Sequence, residues 1–310
     1  MGDRLVCDDP IAERRYAYAR AAARDGDWAA AAEVLEQALE LAPNWAPAWF
    51  ALGEARERLG EKDGAAGAFG AALAADPSDA QGARGRLTLL GEGSRLDALS
   101  PAYVARLFDD HAARFEAHLA GELGYRGPEL IAAALDRLDA RRFSRCIDLG
   151  CGTGLAGAAL RERVDTLIGV DLSPRMIARA RESRLYDSLE VGDAVAFLAS
   201  QPARGADLVV AADVLAYIGD LGPLFSAAGC ALAPGGLLAV SVEAMEGASY
   251  GLGRSMRFAH SQAYLRATAT AAGFRSGLLT EASVRRETGR EAAGTIGLFE
   301  AGSDTKICEP

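Results

Sequence analysis

From Arg145 onward the chain alternates between two kinds of pattern. Short apolar runs, RCIDLG (145–150), TLIGVD (166–171), LEVGD (189–193), ADLVVAAD (206–213) and GLLAVSVE (236–243), read as strands, with helical segments between them. The clearest helix is SPRMIARARES, where Ser173 stands as N-cap and Pro174 as the first helical residue. Such alternation predicts an α/β fold with a parallel, doubly wound sheet. The end of the chain departs from it. GLLTEASVRRE (277–287) and GTIGLFEAG (294–302), separated by TGREAA, predict a closing antiparallel hairpin. Upstream, Tyr103, Leu107, Phe108, Phe115 and Leu119 fall near one helical face, with His111 and His118 beside it, and a second helix is expected over 128–138.

The first third reads as helix and repeats itself. At an offset of 34 residues, Ala19 falls on Gly53, Ala22 on Arg56, Gly26 on Gly60, Ala31 on Ala65, Leu35 on Phe69, Ala38 on Ala72 and Pro43 on Pro77. The second copy adds Trp49, Leu52 and Gly53 where its first helix begins. Small residues at these places let paired helices approach closely, and the proline ends the second helix of each pair. The pattern resembles the tetratricopeptide repeat. That resemblance implies two all-α repeats over about 12–79, a solvating helix over 81–90, and a surface able to hold a protein partner.

GEGSRLDALSP (91–101) has the composition of a linker. The expected organisation is therefore helical repeats over 1–90, the linker over 91–101, a helical approach or lid segment over 102–140, and the alternating domain over 141–303.

A net charge of −10 disfavours a nucleic-acid partner. Cys7, Cys146, Cys151, Cys230 and Cys308 are scattered without a CxxC pair, so neither a disulfide framework nor a zinc site is expected, and a reducing compartment is. His111 and His118 lie seven apart with no third ligand, so no metal is expected. No apolar run approaches membrane-spanning length, and MGDRLVCDDPIAERR lacks the apolar core of a signal peptide; a cytoplasmic protein with no membrane partner is expected.

IDLGCGTGLAG (147–157) runs a strand end into a glycine-rich turn. Its GTGLAG satisfies GxGxxG, and Asp171 stands about where the ribose-binding acid of a dinucleotide fold belongs, so NAD fits by motif alone. Three features favour a sulfonium nucleoside instead. Asp148 precedes the glycines, giving D-x-G-x-G-x-G over Asp148, Gly150, Gly152 and Gly154; a carboxylate there repels a pyrophosphate and suits a ligand with an ammonium and a sulfonium. Asp171 ends the next strand, where it can accept from both ribose hydroxyls. Asp193, in Gly192-Asp193-Ala194, ends the third and can accept from an adenine amino group.

Together with Asp213-Val214-Leu215 after the fourth strand, Pro234-Gly235-Gly236 before the fifth and the closing hairpin, this constellation resembles the class I S-adenosylmethionine-dependent methyltransferases over about 143–302. LFDDHAARFEAHL, VDLSPRMIARARESRLYDSLEVGD and AADVLAYIGDL resemble, more narrowly, a bacterial tetratricopeptide–methyltransferase group related to the Williams–Beuren-region methyltransferases. The resemblance implies a Rossmann-like doubly wound sheet, S-adenosylmethionine as cofactor with S-adenosylhomocysteine as product, and in-line displacement at the sulfonium methyl. It places Gly150, Cys151, Gly152 and Gly154 against the methionine moiety with Asp148 nearby, and Asp171 on the ribose. Leu172 and Met176 would border the adenine, Asp193 and Ala194 its edge, and Asp213 the mouth close to the reacting methyl. Phe115 and Tyr103 would reach the cofactor from the lid helix. Cys151 is read as a small turn residue rather than a catalytic thiol.

Methyl transfer needs a base only if the acceptor arrives protonated. Tyr217, just past the fourth strand, is a candidate for orienting the acceptor. His260, opening HSQAYLRATATAAG, is read as a general base or as a capping or packing residue. The segment GASYGLGRSMRF, with Arg254 and Arg257, can cover the acceptor site. Asp8-Asp9 and Asp109-Asp110 read as solvated faces or helix starts, and the arginines of RARES and VRRETGR as surface. The acceptor is expected to be a small molecule or a protein recruited or shaped by the repeats. The competing reading is a non-catalytic, cofactor-binding scaffold whose repeats bind a protein partner.

Overall fold

A computed structural model describes residues 7–112, 124–138, 142–275, 277–287 and 290–303, the side chains of 286–290 excepted. The chain divides into two compact units, Met1–Tyr103 and Val104–Pro310.

In the first unit, small side chains set how closely the helices pack. These are α1 (Pro10–Arg24), α2 (Trp28–Leu41), α3 (Ala46–Leu59), α4 (Lys62–Ala75) and α5 (Ala83–Leu90). Asp9 starts α1, its carboxylate accepting from the Ile11 and Ala12 amides. Ala19, Ala31, Leu35 and Ala38 are buried, and so are their repeat counterparts Gly53, Ala65, Phe69 and Ala72. A Cβ on Gly53 would lie 2.5 Å from the Phe69 ring, so only glycine lets α3 and α4 touch at this place of the repeat. The buried Asp79 carboxylate starts α5 by accepting from the Ala83 and Arg84 amides at 2.6 and 3.2 Å. Residues 91–100 form neither helix nor strand. The Tyr103 ring lies over Gly82, close enough to collide with any Cβ there, so Tyr103 serves the repeats rather than a cofactor.

The boundary between the units falls inside α6 (Pro101–His111), which is followed by α7 (Gly127–Asp136). The sheet of the second unit then builds up through β1 (Phe143–Leu149), α8 (Leu155–Leu160), β2 (Val164–Asp171), α9 (Pro174–Ser183), β3 (Ser188–Val191), α10 (Ala194–Ser200), β4 (Ala206–Ala211), α11 (Gly222–Ala231) and β5 (Leu232–Ala244). Strands β3-β2-β1-β4-β5 are parallel, in that spatial order. Beyond β5 come a short ribbon of β6 (Tyr250–Leu252) and β7 (Phe258–His260), then α12 (Gln262–Ala271) and the antiparallel pair β8 (Leu278–Glu287) and β9 (Arg290–Glu300). Strand β9 runs antiparallel along β5. The pair extends further toward its turn than the sequence pattern implies, because β9 claims part of the expected TGREAA separator for the ladder.

Alternate side chains of the central strands enter two cores. Ile147, Leu149, Val209 and Val240 pack on one face, and Cys146, Leu167, Leu208 and Val210 on the other. Leu149 pairs with Val170 and Ala211, and Ala211 with Val240. Gly150, Asp171, Asp213 and Glu243 therefore gather at one edge, beyond the carboxyl ends of the strands, where open α/β sheets hold ligands. Cys7, Cys146 and Cys151 are buried free thiols, whereas Cys230 is disulfide-bonded, contrary to the expectation from spacing; Cys308 lies outside the described residues. Among the described residues no helix is long and apolar enough to cross a membrane.

Candidate active site

The turn after β1 is made by backbone. Gly150 has φ 61°, and a Cβ on it would lie 2.6 Å from Val214 Cγ2, so a side chain is excluded both by conformation and by space. The Cys151 amide donates to the Val170 carbonyl at 3.0 Å, tying the turn to β2. Asp171, at the end of β2, fixes it from the other side. Its Oδ2 accepts from the Gly152 amide at 2.9 Å and its Oδ1 from the Ser173 amide at 2.8 Å. Asp148 is 1% exposed. Its Oδ2 accepts from the Tyr186 hydroxyl at 2.6 Å, while Oδ1 is buried without a partner among the described residues. Burial, with the Asp171 charge, pushes its carboxyl up to about 7. An acceptor orphaned inside a protein costs about 1–3 kcal/mol. The place suits a ligand that brings a donor to Oδ1, and a cationic donor best of all.

Asp193 caps α10, with Oδ1 accepting from the Val195 and Ala196 amides at 3.0 and 2.9 Å. Ala194 follows it and is buried, Leu172 is half-buried, and Met176 is fully enclosed. Cys151 is 5% exposed and burial raises its thiol far above neutrality, which suits a small turn residue and not a nucleophile.

Across the turn lies a different environment. Asp213 has φ 62° and donates its amide to Ser241 Oγ at 2.8 Å. Its carboxylate meets Arg257 at 2.6 Å and Arg285 at 3.6 Å. Glu243 accepts from Arg285 at 2.6 Å and also from Arg257 Nε. Arg257 Nη1 donates to the Tyr217 hydroxyl at 2.6 Å, and its guanidinium lies 4.9 Å from that ring's centroid. Phe108 of α6 meets the Tyr217 ring edge-on at 5.1 Å. Burial raises the Asp213 carboxyl despite its two arginines.

Residues 122–274 match the family described as a methyltransferase domain, and residues 12–55 match a tetratricopeptide repeat. The chain carries a methyltransferase domain and a tetratricopeptide repeat. Trans-aconitate 2-methyltransferase of Escherichia coli is 37% identical over 127 residues, 40% of this chain and 48% of that protein. The enzyme of that name from Methylobacterium radiotolerans is 35% identical over 147 residues, 46% of this chain and 48% of the relative. Ubiquinone biosynthesis O-methyltransferase of Caulobacter is 27% identical over 154 residues, 49% of this chain and 55% of its own length. The chain thus spans about half the length of the curated relatives it matches.

Within the methyltransferase domain, Asp148, Asp171, Asp193 and Asp213 come together with the glycine turn at the strand ends, and Tyr217 lies beside Asp213 through Arg257. His260 does not reach the cleft. It ends β7, is fully buried among Tyr250, Phe258 and Tyr264, and places Nε2 3.0 Å from the Gly219 carbonyl. Burial lowers its pKa, and the helix after it is capped by Ser261, whose Oγ accepts from the Tyr264 amide. Those surroundings support packing, the second of its two readings, and leave no room for an acceptor. Arg285, expected at the surface, is 4% exposed inside the ionic cluster. Asp109, expected to be solvated, accepts from Ser173 Oγ at 2.5 Å and from the Arg175 amide at 3.2 Å, capping α9 from α6. Asp110 does face solvent, 3.8 Å from Arg106. Phe115 and His118 lie outside the described residues. The sequence pattern gave no sign of Glu243 or of Tyr125, whose phenol is raised by burial and by the Asp213 and Asp148 charges. Tyr186 left a faint trace: Gly157 and Gly169 are glycines because a Cβ on either would run into its ring.

Proposed function

We propose that the chain transfers a methyl group from S-adenosylmethionine to an acceptor at the carboxyl edge of the sheet. The observation that carries this is Asp148 Oδ1, a buried carboxylate oxygen without a donor among the described residues, set beside a glycine turn whose first glycine, Gly150, admits no side chain. Asp148 would take the ligand's ammonium, the Gly150–Gly154 backbone its methionine chain, and Asp171 its ribose hydroxyls. Leu172 and Met176 would line the adenine, with Asp193 and Ala194 at its edge. Bound there, S-adenosylmethionine supplies a methyl on a cationic sulfur, an electrophile whose leaving group needs no proton. The residues around it hold the acceptor in line, an effect for which about 7–11 kcal/mol is the upper range. NAD is disfavoured because Asp148 would face its pyrophosphate, and by the antiparallel β9.

The repeats, taken over 1–90, support a protein partner or a protein acceptor for the catalytic domain over 141–303; a small-molecule acceptor remains the other possibility. Buried free thiols support a cytoplasmic setting, against which the Cys230 disulfide stands. The test is transfer of tritium from methyl-labelled S-adenosylmethionine into bacterial extract. Wild type is expected to label a product and Asp171→Ala to label none. Tight cofactor binding without transfer from any extract would favour a scaffold whose repeats carry the function.

A further inference from the structure

Resting on that reading, we propose that the cluster Asp213–Arg257–Glu243–Arg285 selects the class of acceptor: an uncharged or cationic hydroxyl or amine that donates a hydrogen bond, and not a carboxylate-rich anion. Asp213 Oδ2 is the group that receives the acceptor's X–H.

The cluster borders the place of transfer. Val214 packs on Gly150 of the cofactor turn, and Asp213 is hydrogen-bonded to Ser241 of β5, two residues before Glu243. Its two guanidinium groups are tied to the carboxylates and to Tyr217. Arg257 gives Nε to Glu243, Nη1 to Tyr217 and Nη2 to Asp213. Arg285 gives Nη2 to Glu243. The ion pairs to each carboxylate converge on one oxygen, Oδ1 of Asp213 and Oε1 of Glu243, and among the described residues Oδ2 and Oε2 are the oxygens a ligand would meet. Exposure agrees with this polarity. The carboxylate side chains are 22% and 17% exposed and the arginines 13% and 4%, so the carboxylates are the more accessible members of the cluster.

Two negative and two positive groups cancel. An anionic acceptor approaching Arg257 would compete with Asp213 and Glu243 for the guanidinium and would lie beside both carboxylates. A hydroxyl or amine keeps every ion pair and fills Oδ2. The reaction then balances. The lone pair of the hydroxyl oxygen or of an uncharged amine nitrogen forms the bond to the methyl carbon, the pair of the broken carbon–sulfur bond stays on sulfur, and the X–H proton passes to Asp213; any positive charge of the acceptor lies elsewhere on it. Burial raises the Asp213 carboxyl, which favours its taking that proton.

The test is calorimetric titration of citrate, a tricarboxylate probe, into the full chain with and without saturating S-adenosylhomocysteine. Wild type is expected not to bind citrate at millimolar concentration. Asp213→Asn and Glu243→Gln, each freeing an arginine, should bind it at least about tenfold more tightly than wild type. Arg257→Gln should not bind it. In Asp213→Asn, label transfer into extract should also fall about a hundredfold, with S-adenosylhomocysteine affinity kept. The labelled wild-type product, digested to single residues by proteases if it is a protein, should pass through an anion exchanger. Sub-millimolar citrate binding by wild type that is lost in Arg257→Gln overturns the proposal, as does retention of the labelled product on the anion exchanger, or failure of both carboxylate variants to gain affinity. Thermal melts check that each variant folds, and if one does not, the other and the wild-type arms decide. Failure to bind S-adenosylhomocysteine would sink the methyl-transfer reading separately, since citrate binding is also read without it.

Discussion

The two halves of the cleft use the same acid groups and treat them oppositely. In the cofactor half, Asp148, Asp171 and Asp193 are held by neutral donors, namely the Tyr186 hydroxyl and the amides of Gly152, Ser173, Val195 and Ala196. Neutral donors orient a carboxylate and leave its charge in place. In the acceptor half, Asp213 and Glu243 are held by guanidinium groups, which cancel it. On the proposed reading the first half takes the ligand's cationic end at Asp148, and the second is electrically balanced but still able to accept hydrogen bonds. Whether an aspartate in a cleft invites charge depends on what already holds it.

The contrast breaks most severely if the acceptor half loses a cation. Arg257→Leu would leave two mostly buried carboxylates sharing Arg285 and should cost about 3–5 kcal/mol in urea unfolding. The cofactor half does not contain this residue, so S-adenosylhomocysteine affinity measured at low temperature should change little.

In the cofactor half the weak point is pH. Folding raises the Asp148 carboxyl from 3.8 to about 7, so the native state holds that proton more tightly than the unfolded chain does. This contribution is present in full below about pH 4 and is lost as pH rises through about 7, with a magnitude at most on the order of 4 kcal/mol. Asp171 and Asp213 shift in the same direction, so the difference between wild type and Asp148→Asn is what must be read. Between pH 4 and 8 wild type should lose more stability than the variant. Parallel curves would mean that Asp148 is solvated in the free protein.

Tyr186→Phe is the finest probe. Removing the hydroxyl from Asp148 Oδ2 should cost about 1 kcal/mol and move the pH transition upward, since the carboxylate loses a donor that favours its charged form. A transition that stays in place would assign the hydroxyl to packing alone.

What could be read in the sequence and what could not follow the same division. The glycine turn, Asp148 and Asp171 are legible because backbone conformation and strand ends are local properties; Gly150 has to be glycine whatever lies far away. The repeats are legible for the same reason, since Gly53 and Phe69 answer to Ala19 and Leu35 at a fixed offset and touch within one helix pair. Arg285 is not. Its burial depends on Glu243, forty-two residues earlier, and on a β8–β9 register that brings the strand to β5. Asp109 resembled any exposed acid beside Asp110 until α6 delivered it to the start of α9. His260 carried the chemistry of a base, but its neighbours Gly219 and Tyr250 enclose it.

The most direct measurement of the central claim is calorimetric binding of S-adenosylhomocysteine and of NAD to the purified chain, alongside Asp171→Ala. The expected result is micromolar binding of S-adenosylhomocysteine alone, weakened at least about a hundredfold when the carboxylate that pins the turn and is proposed to take the ribose is removed. Binding of NAD in its place would contradict the assignment of Asp148 to a cationic ligand and return the glycine turn to dinucleotide chemistry.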